Sequence, residues 1–145
     1  MSEKFISNHE QYIEGLRTVN QFFYTFPRKE AHKLLHKMIR AALAKKEILD
    51  KEEILDLLLL KEYFEELIET AGILSGYDTV PPKLKKLFQK RTASEWIEIL
   101  DELFRSAAYD GLFTTEPDDD DIYHTYRGLF KMVDACCDIH VPEFR

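Results

Sequence analysis

The chain has 145 residues, a net charge of −7, 45% hydrophobic and 32% charged residues. That balance excludes a disordered polyelectrolyte and gives one domain of ordinary size, 1–145, able to bury a core without disulfides or metal. No stretch approaches the ~20 consecutive apolar residues of a membrane span, so no membrane partner is expected.

The charge is unevenly spread. Residues 1–91 carry 16 basic and 14 acidic side chains, a net of +2, whereas residues 92–145 carry 4 and 13, a net of −9. An acidic half of this kind opposes nonspecific nucleic-acid binding and suits a basic protein partner. The two cysteines, Cys136 and Cys137, are adjacent and form no disulfide framework. With an N-terminus that lacks a signal-type apolar run, they give a cytoplasmic expectation.

In chain order, Ser7 and Glu10 have capping-box spacing and predict a helix from about Asn8. Its stripe is Tyr12, Leu16, Val19, Phe23 and Phe26, and Phe22, Phe23, Tyr24 and Phe26 read as core aromatics. Pro27 ends it and suits the first position of a second helix over 27–46. That helix buries Ala31, Leu34, Leu35, Met38 and Ala42 and exposes seven Lys or Arg side chains. His32 and His36 share a face, but the Glu of a zincin helix is missing between them, so they read as the edge of a solvated surface.

Asp50 and Glu53 open the next helix, Asp50 to Leu74. Leu57, Leu58, Leu59 and Leu60 point almost all the way round its axis at about 100° per residue. Such a helix reads as the buried centre of the fold, with Leu58 or Leu59 almost fully buried. Its acidic face predicts an antiparallel hairpin with the basic second helix, held by ion pairs.

Gly76 and Pro81-Pro82 bracket a loop, and a short amphipathic helix near 82–90 follows, with Lys83, Lys85, Lys86, Lys90 and Arg91. Thr92 and Glu95 cap a fifth helix whose stripe is Trp96, Ile97, Leu100, Leu103, Phe104, Ala107 and Ala108. Gly111 ends it. The run from Glu116 to Asp121 lacks the order of an EF-hand loop and complements the dipole of a last helix over about 120–140. That helix turns Ile122, Tyr126, Leu129, Phe130, Val133, Cys136 and Cys137 inward. The fold class is therefore all-α, a compact bundle of about five main helices and one short connecting helix.

Phosphate-loop, nucleophile-elbow and paired C-x-x-C motifs are absent from the sequence. Glu66-Leu-Ile-Glu69 and Glu98-Ile-Leu-Asp101 resemble the E-x-x-E and E-x-x-D helices of the all-α nucleoside triphosphate pyrophosphohydrolases. The resemblance covers about 62–112, with a spacer long for that family. It implies a Mg²⁺ site formed by Glu66, Glu69, Glu98 and Asp101 against a triphosphate. The stripe geometry opposes it, because Glu98 and Asp101 project away from the Trp96–Leu100–Leu103 seam.

The leading expectation is a non-enzymatic protein that binds another protein in an accessory, inhibitory or immunity-type role, without a cofactor. The acidic surface of 95–121 is the expected contact for a basic partner. Nucleic-acid binding through 28–46 and 83–91 stands behind it, since neighbouring carboxylates would neutralise part of that field.

Overall fold

The structure, a computed structural model, describes residues 8–43, 49–108 and 119–139, except for the side chains of Asn8, Leu43 and 119–125. The described residues form an all-α bundle of six helices: α1 Asn8–Thr25, α2 Arg28–Leu43, α3 Lys51–Leu74, α4 Pro82–Lys90, α5 Ala93–Ala108 and α6 Asp119–Asp138. The expected Ser7 cap, the end of the second helix near 46, Gly111, residues 116–118 and His140 lie outside the described residues. So do the side chains of Asp119, Asp120, Asp121 and Ile122.

Local chemistry sets the element ends. At α3, the Asp50 carboxylate accepts from the Glu53 amide at 2.8 Å, and Glu53 accepts from the Asp50 amide at 3.1 Å. The same reciprocal box joins Thr92 and Glu95 at the start of α5. Pro82 occupies the first turn of α4, where its missing N–H leaves no helical bond unmade.

A single cluster of buried side chains runs through all six helices. α5 packs against α2, α3 and α6, with Leu100 and Leu103 fully buried. α2 also lies on α6, α1 on α3, and α4 on α6. Trp96 locks this junction, its indole Nε1 donating to the Leu87 carbonyl at 3.0 Å and its ring covered by the Arg91 guanidinium. Gly128 lets α6 cross here, because a Cβ at that position would overlap the Trp96 ring.

Three expectations change. α3 is not enclosed on all sides: Leu57 and Leu60 are fully buried, whereas Leu58 is half-buried and Leu59 is exposed. Its partners α1, α2 and α5 leave one flank of the helix to solvent, so the four-leucine run straddles the boundary of the core. Tyr24 leaves the aromatic cluster and is 83% exposed, while Phe22, Phe23 and Phe26 are buried.

Finally, α2 turns toward α6 as well as α3. The cross-pair Lys37–Glu53, at 2.9 Å, does join α2 to α3. Asp134 of α6, however, draws both Arg28 and His32. The His32 and His36 rings lie 5.2 and 4.6 Å from the Phe130 ring, so these histidines sit against a neighbouring helix and not on a free edge.

Candidate functional site

The apolar flank of α3 is the most distinctive surface among the described residues. Leu55, Leu59, Tyr63 and Ile73 are exposed by 53, 45, 40 and 51%. Steps of four place Leu55, Leu59 and Tyr63 in one ladder, and eighteen residues bring Ile73 back to the angle of Leu55. The ladder and Ile73 span roughly 27 Å at 1.5 Å per residue. Between and beside them stand Glu52, Asp56, Glu62, Glu66 and Glu69, all exposed.

The other α3 acids are neutralised. Glu53 pairs with Lys37 and Glu65 with Lys61. The first pairing, reinforced by the Asp50 amide, holds the Glu53 carboxyl below the usual carboxylate range. Among the described residues, the five outward carboxylates have no such basic partner. The apolar ladder is thus set in a strip of net negative charge, with Asp56 and Lys37 attracting each other at longer range.

α1 walls this face on one side. A groove of about 420 Å³ lies between Gln11, Glu14, Arg17, Thr18 and Gln21 of α1 and Thr70 and Ile73 of α3. A smaller cleft continues it past Tyr63 and Glu66. Gly15 permits the close approach of the two helices, since a Cβ there would stand 2.6 Å from Leu74 Cδ2. One end is tied by the Tyr77 hydroxyl, which donates to Gln11 Oε1 at 2.7 Å. The Phe26 and Tyr63 rings, 5.7 Å apart, tie the other.

The four carboxylates of the pyrophosphohydrolase-like pattern are differently placed. Glu66 lines the cleft beside α1, and Glu69 and Glu98 are exposed. Asp101 takes Lys61 at 3.2 Å and Arg105 at 3.1 Å. Burial tends to lower the Lys61 pKa, but hydrogen bonds to Glu65 and Asp101 outweigh it and raise the pKa above its usual value. Among the described residues no three His, Cys, Asp or Glu side chains gather as ligands of one metal ion. Asp101 is thus held by two basic side chains, whereas Glu66 borders the α1 cleft.

The acidic surface expected over 95–121 is partly occupied with local structure. Glu95 serves the α5 cap, Asp101 is paired, and Glu98 and Glu102 are exposed. Residues 109–118 lie outside the described set. Burial pushes the Cys136 thiol well up, and it also raises Cys137 despite the nearby Arg28 and Lys83 charges.

Sequence reasoning missed Leu55, Leu59, Tyr63 and Ile73 as surface residues. The signal was present: α3 holds more apolar residues than one buried stripe can take. That excess reads equally as deep burial or as a second, open face.

Comparison of the chain with family models, curated proteins and solved structures finds no match in any of the three. What can be stated of its class is the helical bundle itself. No described helix is long and apolar enough to cross a membrane.

Proposed function

We propose that the chain acts by binding a protein, and that the α1–α3 face receives a basic amphipathic helix of the partner. The observation that carries this is the exposed Leu55–Leu59–Tyr63 ladder bordered by five unpaired carboxylates. Contiguous apolar surface rimmed by polar groups is the usual mark of an interaction site. An amphipathic helix would lay its own i, i+4 apolar positions along the ladder, with Lys or Arg reaching the rim. The charge disfavours a second copy as the natural occupant, because two such faces would set like charges against each other. It equally disfavours an acidic peptide or a phosphate backbone at this face.

Selection of helical peptides from a random library on the immobilised chain tests the reading. The expected winners carry an i, i+4 apolar repeat with Lys or Arg beside it, bind less tightly as salt rises, and lose binding to L55E/L59E. Acidic winners, or winners indifferent to L55E/L59E, would remove the proposal. Sedimentation of the free chain adds a second arm: a dimer that L59E dissociates would make the face a self-association surface instead.

A further inference from the structure

A second groove, of about 350 Å³, lies between α4 and the C-terminal half of α6. It is lined by Lys83, Lys86, Leu87, Lys90, Lys131 and Asp134. Lys83, Lys86 and Lys90 recur at steps of three and four, so they form one ridge of α4. Lys131, Asp134 and Asp138 have the same steps on α6.

The carboxylates of this groove are already engaged. Asp138 pairs with Lys83. Asp134 Oδ1 accepts from Arg28 Nε at 2.8 Å and lies 2.9 Å from His32 Nε2. Lys85, on another side of α4, faces Asp78 at 3.6 Å. Among the described residues, no carboxylate stands within ion-pair distance of Lys86, Lys90 or Lys131. Three uncompensated ammonium groups therefore border one concavity, with the buried Leu87 side chain at its floor.

We propose that this groove binds a small organic polyphosphate of the nucleoside di- or triphosphate class. Its phosphates would sit at Lys86, Lys90 and Lys131, and its organic part against Leu87. Lysine ammoniums are compact point charges suited to phosphate oxygens. The volume falls at the lower end of the roughly 300–1,000 Å³ typical of ligand pockets. A long nucleic-acid strand fits less well, because Asp134 and Asp138 interrupt the positive track at the Lys83 end. The site shares no lining residue with the α1–α3 face, so the two proposals stand or fall separately.

Calorimetric titration of the full chain with ATP, inorganic triphosphate and a short single-stranded oligonucleotide, at low and at physiological salt, tests this. ATP is expected to bind more tightly than inorganic triphosphate, with affinity falling as salt rises. K86E/K90E should weaken ATP about tenfold or more, K86R/K90R should retain it, and K85E should leave it within about twofold. Circular dichroism of each variant checks that the helices remain. Four results overturn the proposal: no ATP binding at low salt, equal losses in K85E and K86E/K90E, inorganic triphosphate as tight as ATP, or the oligonucleotide tighter than both.

Discussion

α3 and α5 are both leucine-rich, yet the bundle uses them differently. α5 has one apolar stripe, and neighbours α2, α3 and α6 cover it. α3 has a buried stripe, Leu57, Leu60, Phe64, Leu67, Ile68, Ala71 and Leu74, and a second, open one through Leu55, Leu59 and Tyr63. Apolar surface stabilises a fold only where another element removes it from water. What α3 carries beyond that need contributes less to the free chain, because part of it stays in contact with water.

The sharpest way to break this comparison is to make one substitution on both stripes. L60A and L100A should each lower unfolding stability by about 2–5 kcal/mol, measured by urea denaturation. L59A, one residue from Leu60, should stay within about 0.5 kcal/mol, as exposed positions do. A loss at Leu59 comparable to that at Leu60 would mean that both stripes of α3 are core.

The next effect concerns how α5 is enclosed. G128A forces a methyl into the Trp96 ring, which its hydrogen bond to Leu87 holds in place. A cost of about 1–3 kcal/mol is expected from such overpacking. G15A meets the Leu74 side chain, which can change rotamer more readily than an indole ring can move, and should cost less in the same assay. Equal costs would show that the two helix crossings are equally rigid.

The α3 cap comes next. D50A should remove about 0.5–2 kcal/mol, because it deletes the carboxylate that accepts from the Glu53 amide. Glu53 is held below its usual pKa, so its contribution is present above pH 4.5 and disappears as pH falls through its lowered folded value. The stability difference between the native chain and E53Q should therefore shrink in acid.

Lys61, between α3 and α5, has the opposite sign. Its pKa is raised above 10.5, so its contribution is complete below that pH and is lost as pH rises through the folded value. The native chain and K61M should converge in stability at strongly alkaline pH. A gap that persists there would assign the Lys61 effect to something other than its charge.

The sequence by itself determined the class of fold, most element ends and much of the core. Asp50/Glu53 and Thr92/Glu95 specify helix starts through bonds made within a few residues, and Pro82 does so through its fixed backbone angle, so all three are legible locally. The α5 stripe is legible for a related reason: its helical period requires Leu100 and Leu103 to share a face, and its polar residues leave one choice of which face is buried.

Only the tertiary structure decided the rest. Periodicity reveals that α3 has apolar residues on more than one side but not which side a neighbour covers, since that depends on the placement of α1, α2 and α5. The same holds for charge. Lys86 and Lys90 lie more than forty residues before Lys131, and their convergence exists only because α4 packs along α6. The Glu66, Glu69, Glu98 and Asp101 spacing makes a related point: each local pattern is regular, but that Asp101 meets Lys61 of α3 while Glu66 borders the α1 cleft is decided by packing.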